Sequence, residues 1–283
     1  MDKLYTAETV GKWRKEKAES GKKTGFVPTM GALHEGHLSL IRKAKSENDF
    51  VICSVFVNPT QFNNPEDLEK YPRTIEEDIL LLQSAGCDAV FIPSVTEVYP
   101  DYPDETSLVT VPLAPLNTVM EGAFRPGHFE GVVNVVYRFF DLIRPQKAYF
   151  GLKDFQQVAI IKHMVNYLEL PVEIIACPTE RELSGLAKSS RNQRLSDEQR
   201  VEATYLYKAL QLGKKLSSDH LPDDVKEKMR EYLDMTSIRT EYISIVHPEN
   251  LSELHSEWVS GSICCIAAYC GDVRLIDNLQ FIP

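Results

Sequence analysis

The sequence predicts an α/β protein: a doubly wound parallel sheet followed by a smaller α+β domain. Three observations carry that expectation. Short apolar runs alternate with longer segments whose apolar residues recur at helical spacing, the pattern of repeated βαβ units. The run FVICSVFVN (50–58) is almost continuously apolar, as a parallel strand covered on both faces must be. From about Arg181 onward the texture changes to one long amphipathic segment followed by strand-like runs.

In chain order, KTGFVPT (23–29) reads as a strand and GHLSLIRKAKSEN (36–48) as an amphipathic helix. FVICSVFVN is the next strand. TIEEDILLLQSAG (74–86) is helical and stops at a glycine, and DAVFIP (88–93) is a strand. After a proline-rich stretch, GVVNVVYRFFDLI (131–143) fits a buried helix. KAYFG (147–151) is a short strand, DFQQVAIIKHMVNYLEL (154–170) a helix and PVEIIACP (171–178) the closing strand. This places a Rossmann-like domain at 1–180 and a smaller α+β domain at 181–283. The second domain opens on SDEQRVEATYLYKALQLGKKL, whose Ser196 and Gln199 form a capping box. SSDHLPDDVKEK (217–228) reads as a charged linker, and strand-like runs follow at 242–246, 262–270 and 273–276.

Bulk composition narrows the classes. With 43% hydrophobic and 25% charged residues in 283, the chain can build a core without disulfide staples. A formal net charge of -10 argues against broad nucleic-acid binding, which wants a basic face, but leaves room for a local basic pocket. The six cysteines form no C-x-x-C pair and no Cys/His cluster with zinc spacing, so buried thiols in a reducing cytosol are expected. The N-terminal MDKLYTAETVGKWRKEK lacks the apolar centre of a signal peptide, and no segment has the length of a membrane span. A cytoplasmic protein is the expectation.

In open α/β sheets, ligands sit beyond the carboxyl ends of the strands, so the loops after strands hold the chemistry. The first is PTMGALHEGH (28–37). Its glycines allow close backbone approach, and the helix start near Gly36 offers unpaired N–H groups suited to phosphate. His34 and His37, three residues apart, can face one side of that turn and donate to phosphate oxygens. A single histidine would more often be a surface or capping residue; a pair bracketing a glycine after a strand reverses the preference. Zinc is a third reading, with no third ligand in view.

The second loop contributes Asn58 and Gln61, neutral amides that orient small polar substrates, although Asn-Pro is also ordinary turn chemistry. The third, GLKDFQQ (151–157), offers Gly151 for close approach, Lys153 as a point charge for phosphate, Asp154 as a helix N-cap, and Gln156 and Gln157 from the first turn. A solvated lysine is nearly as good a reading of that string taken alone. The fourth, KSSRN (188–192), sets Lys188, Ser189, Ser190 and Arg191 together, enough to surround a polyphosphate or to form a solvated basic turn. In EGAFRPGHFEGV (121–132), Arg125 and His128 could serve a carboxylate site or a gate, or belong to a structured loop.

These strings, with VFVNPTQF, YPRT and RLIDN, run in order from Pro28 to Asn278, and over nearly its full length the chain resembles the pantothenate synthetases, or pantoate–β-alanine ligases. That family belongs to the H-x-G-H nucleotidyltransferases, and the signature here is His34-Glu35-Gly36-His37. The resemblance implies a two-step reaction: pantoate attacks ATP to give pantoyl adenylate and pyrophosphate, and β-alanine then displaces AMP to give pantothenate. It implies Mg²⁺ with the nucleotide, a cytoplasmic homodimer and a C-terminal domain that closes over the site. By the same resemblance, Met30, Gly31, His34 and His37 bind ATP, with His37 as proton donor. Gly151, Lys153, Asp154, Glu180, Lys188, Ser189, Ser190 and Arg191 fall at the other nucleotide positions, with Lys153, Ser189 and Arg191 among the catalytic group. Gln61 falls where both pantoate and β-alanine are contacted and Gln157 where pantoate is held; Asn58 and Arg125, read from their own loops, are expected at the same acid substrates.

Two positions depart from the family pattern. Glu180 stands where an apolar residue meets adenine through its backbone, so its side chain must point elsewhere, and Lys188 stands where many members carry methionine. A carboxylate for Mg²⁺ is harder to place. Asp78 is a candidate, against the commoner role of an exposed helix acid. A nucleotidyltransferase with a different small acceptor, and a catalytically silent nucleotide-binding module, are the competing functions.

Overall fold

Six short segments form one wholly parallel sheet. The computed structural model of the chain describes residues 1–63, 65–103 and 108–282. Two compact units divide it. The first comprises Met1–Ala114, Gly122–Leu152 and Gln157–Pro178. The second comprises Pro115–Glu121, Lys153–Gln156 and the chain from Thr179 onward.

The chain begins with β1 (Asp2–Leu4) and α1 (Ala7–Glu19), neither of which the sequence pattern had indicated. Then come β2 (Thr24–Thr29), α2 (Glu35–Glu47), β3 (Phe50–Val55), the short α3 (Pro65–Glu69), α4 (Ile75–Ser84), β4 (Ala89–Phe91) and the short α5 (Val95–Val98) and α6 (Met120–Phe124). α7 (His128–Ile143), β5 (Lys147–Gly151), α8 (Phe155–Tyr167) and β6 (Glu173–Cys177) follow. The strand order is β1-β4-β3-β2-β5-β6.

Both faces of β3 are apolar because both are covered. Val51, Cys53 and Val55 pack with Leu40, Ile41 and Ala44 of α2 and with Ile79 and Leu82 of α4. The opposite face meets α7, where Phe139 lies edge-on to Phe26, Phe56 and Phe91 with ring centroids 5.8, 6.0 and 6.0 Å away. Edge-to-face contacts of this kind add about 0.5–1.5 kcal/mol to simple burial. Helices on the two faces are what a parallel sheet with right-handed crossovers requires.

In the second unit, α9 (Asp197–Leu216) starts at the expected capping box: Ser196 Oγ accepts from Gln199 N–H at 3.2 Å and Gln199 Oε1 from Ser196 N–H at 3.0 Å. The charged linker is corrected. Pro222–Asp234 is a helix, α10, taking in residues 222–228 of the stretch 217–228. Pro222 stands in its first turn, where a missing N–H costs nothing, and Val225, Met229 and Leu233 recur every four residues and are fully buried. The acidic and basic residues between them had masked that stripe. β7 (Arg239–Val246), β8 (Ile263–Cys270) and β9 (Val273–Gln280) form an antiparallel sheet in that order. Its Ile243, Ile245, Ile266 and Ala268 share one core with Leu206, Leu210, Val225 and Met229.

All six cysteines are buried free thiols. Burial pushes Cys87 up to about 12, so it stays a protonated apolar filler.

Candidate active site

β2 is the centre of the first unit. It pairs with β3 on one side and with β5 on the other, and the chain runs outward in opposite directions from this pair. That reversal is the topological switch point, where two loops part and leave a crevice at the strands' carboxyl ends. Thr29 ends β2 and Gly151 ends β5.

The loop after β2 is held in an unusual backbone shape. Gly31 has φ 82° and Ala32 φ 49°. A Cβ at residue 31 would lie 3.0 Å from both Asp78 Oδ2 and Val55 Cγ1, so the glycine serves a close approach as well as a left-handed turn. Asp78 organises this turn. Its Oδ2 accepts from Ala32 N–H at 3.0 Å and its Oδ1 from Leu33 N–H at 2.7 Å, with Thr74 Oγ1 at 3.3 Å. Asp78 is 1% exposed, so the exposed-acid alternative is corrected. Burial raises its pKa above the ordinary carboxylate value, against the pull of those hydrogen bonds.

His34 is the N-cap of α2, its Nδ1 accepting from Gly36 N–H at 3.1 Å. His37 Nδ1 accepts from His34 N–H at 3.4 Å, closing a capping box made of two imidazoles. Their ring centroids are 4.1 Å apart. A neutral imidazole that accepts at Nδ1 carries its proton on Nε2. Where both rings are neutral, these two contacts place each proton on Nε2, the position from which an imidazole can donate to a phosphate oxygen.

The amide pair after β3 is buried. Asn58 Oδ1 accepts from Tyr99 OH and Thr60 Oγ1, each at 3.0 Å, and Nδ2 donates to Gly131 O at 3.1 Å and Gln61 Oε1 at 3.2 Å. Asn58 therefore holds Gln61 in place rather than reaching outward. Gln61 Nε2 lies 2.9 Å from Met30 Sδ, so the second strand-end loop meets the first, and the Gln61 main-chain carbonyl lies 2.9 Å from His128 Nδ1. α7 presses on this turn: a Cβ at Gly131 would fall 2.6 Å from Thr60 O. The side chain of Gln157 is half-buried on the first turn of α8. A Cβ at Gly151 would meet nothing within 4 Å, so packing does not explain that glycine. Arg125 is half-buried, in the loop before α7.

In the second unit, Lys153 Nζ lies 3.7 Å from Asp154 Oδ1. Lys188 N–H donates to Glu180 O at 2.9 Å and Arg181 bridges Ala187, so residues 180–188 form a small hairpin. Glu180 is exposed. Ser189 caps the turn Ser190–Arg194, its Oγ accepting from Arg191 N–H at 3.3 Å. Gln156 is structural: buried, it donates to Leu116 O at 2.7 Å and Val119 O at 2.8 Å and accepts from Glu121 N–H at 2.9 Å. Sequence reasoning missed this role, and those of Asp78 and of Arg274, which pairs with Glu121 and Glu241. For Gln156 and Arg274 the signal was their place in the strings GLKDFQQ and RLIDN; Asp78 lies four residues beyond YPRT. Among the described residues, no group of three or more His, Cys, Asp or Glu converges as a metal cage.

A parallel sheet with two adjacent imidazoles at a helix start on its switch point defines the class: an enzyme of the H-x-G-H nucleotide-handling type. More narrowly, the chain belongs to the pantoate-beta-alanine ligase family, whose model matches residues 3–280. It is 47% identical over 264 residues to a pantothenate synthetase of Bacteroides thetaiotaomicron, covering 92% of each chain. It is 46% identical over 284 residues to that of Thermus thermophilus, covering 99% of this chain and 100% of the relative. A crystal structure of a Thermus thermophilus pantothenate synthetase superposes with TM-score 0.92 at 44% identity, covering 100% of both chains. The Francisella tularensis pantoate-beta-alanine ligase, complexed with beta-gamma ATP and beta-alanine, matches with TM-score 0.82 at 38% identity, covering 99% of this chain and 97% of that one.

Proposed function

We propose that the chain condenses (R)-pantoate with β-alanine at the expense of ATP, giving pantothenate, AMP and pyrophosphate through pantoyl adenylate. The observation that carries this reading is the double imidazole cap: His34 and His37 together close the first turn of α2 at the switch point, with ring centroids 4.1 Å apart. In the first step, a carboxylate oxygen of pantoate bonds to the α-phosphorus, and the bond to the bridging oxygen breaks. Pyrophosphate leaves with the electron pair. Both reactants are anions, so catalysis must offset repulsion and stabilise charge on the leaving group. His34 and His37 supply fixed donors with little reorganisation, and Lys153, Lys188, Ser189, Ser190 and Arg191 are assigned the remaining phosphate contacts. Met30, Gly31, Gly151, Asp154 and the Glu180 backbone complete the ATP contacts.

In the second step, the neutral amine of β-alanine bonds to the acyl carbon and the C–O bond to AMP breaks, the amine losing a proton. Gln61, Gln157 and Arg125 are assigned to pantoate and β-alanine, with Asn58 orienting Gln61. Proximity in such a bound pair can lower the barrier by about 7–11 kcal/mol.

Mg²⁺ enters this reading with the nucleotide, on its phosphates. Asp78 does not fit as its protein ligand, because both carboxylate oxygens already accept backbone N–H groups, and no step is derived through the ion. The same reading makes the protein a cytoplasmic homodimer. Buried reduced thiols suit a reducing compartment, and among the described residues no helix is long and apolar enough to cross a membrane. Light scattering in solution tests the dimer.

Pantoate labelled with oxygen-18 in its carboxylate tests the chemistry. Transfer of one label to AMP is expected. AMP without label would exclude attack at the α-phosphorus.

A further inference from the structure

The last two residues of the RLIDN string, Asp277 and Asn278, have no task in the reaction described above. Both lie on β9 and are 4% and 9% exposed. Asn278 Nδ2 donates to the main-chain carbonyl of Lys153 at 2.9 Å. Asn278 is itself immobilised. Its N–H donates to Asp277 Oδ1 at 2.7 Å, and its carbonyl accepts from Arg181 at 3.3 Å. Arg181 and Asp277 form a two-pronged ion pair at 2.6 and 2.9 Å, and the guanidinium lies 3.9 Å from the Tyr207 ring centroid.

The other end of the short Lys153–Gln156 stretch is tied down as well. Gln156 grips the 116–121 segment through three hydrogen bonds, and Glu121 in that segment is held by Arg274. Arg274 and Asn278 are four apart on one strand and so share a face. One face of β9 therefore fixes this stretch at both ends. A lysine destined only for solvent would need no such anchorage, since its carbonyl could accept from water.

We propose that Asn278 is a positioning residue for Lys153. By fixing the Lys153 carbonyl, it sets where the ammonium meets the nucleotide's phosphates. This rests on the phosphate role assigned to Lys153 above. A side chain with four rotatable bonds can reach many places; anchoring its backbone restricts the set and lowers the cost of forming the contact.

A double-mutant cycle tests it. Turnover and KM for ATP and pantoate are measured for the full chain, Asn278→Ala, Lys153→Ala and the double variant, with melting temperatures to confirm folding. Asn278→Ala is expected to lower kcat about 10- to 100-fold while pantoate KM stays within about twofold. In the Lys153→Ala background, the same change is expected to cost nothing further. Losses that multiply in the double variant would overturn the positioning role alone, as would wild-type turnover in Asn278→Ala. Wild-type turnover in Lys153→Ala would remove the phosphate role and the positioning role together. If Asn278→Ala fails to fold, Asn278→Ser, too short to reach the carbonyl, carries the same cycle.

Discussion

Asp78 accepts the backbone N–H of Leu33 at 2.7 Å, and so a helix carboxylate shapes the loop that delivers both imidazoles. Its second oxygen takes the N–H of Ala32, a residue at positive φ. Without it, two buried donors would be orphaned, each at a cost of about 1–3 kcal/mol. Asp78→Ala is therefore expected to lower the melting temperature and also to depress turnover, because His34 and His37 follow directly. Unchanged turnover in a folded variant would contradict the link between the carboxylate and the loop.

The same residue makes a pH prediction. Burial raises the folded-state pKa of Asp78 above its unfolded value. A carboxyl shifted that way contributes fully below the unfolded pKa, and that contribution is lost as pH rises through the folded pKa. The stability difference between the natural chain and Asp78→Asn should thus move in favour of the natural chain as pH falls from about 7 toward about 4. Thermal melts across that range check the sign; a difference that moves the other way would contradict it.

Gln61 is predicted to act on the acid substrate. It is buried, held by Asn58, and borders Met30 of the histidine loop. Gln61→Ala should raise pantoate KM or lower turnover by about 10-fold or more, with ATP affinity nearly unchanged. Calorimetric titration with ATP alone separates the two, and an equal loss of ATP binding would misplace the residue.

Arg274 is expected to matter for stability. Glu121 meets it through both oxygens at 2.8 and 2.7 Å, Glu241 Oε2 lies 2.9 Å from its Nε, and Tyr242 OH donates to Glu121 at 2.9 Å. Burial opposes charge on the guanidinium, but the two carboxylates outweigh it and hold its pKa above the ordinary value. Arg274→Ala would strip the shared cation from buried Glu121 and half-buried Glu241, a loss of about 3–5 kcal/mol. Denaturant unfolding measures it; a change below about 1 kcal/mol would show that the network is dispensable.

The parallel sheet was legible because burial on both faces leaves a run such as FVICSVF with almost no polar residue. The histidine loop was legible because strand, glycine and H-x-G-H stand together. β1 was hidden by its three-residue length and polar DK start. α10 was hidden because Asp223, Asp224, Lys226 and Glu227 dominate its composition, while only every fourth residue is buried. Leu233→Ala on that helix should cost about 2–5 kcal/mol, which a linker residue would not. The role of Asp78 could not be read locally: its partners lie 45 and 46 residues away, and only the fold brings them together.

The most direct test of the adenylation site is pyrophosphate release from ATP and pantoate in the absence of β-alanine. The natural chain should give a burst matching the number of active sites as pantoyl adenylate forms. His37→Ala, folded by melting temperature, should slow that burst by about 10²–10⁴-fold. A burst at the natural rate in His37→Ala, or none in the natural chain, would contradict the account.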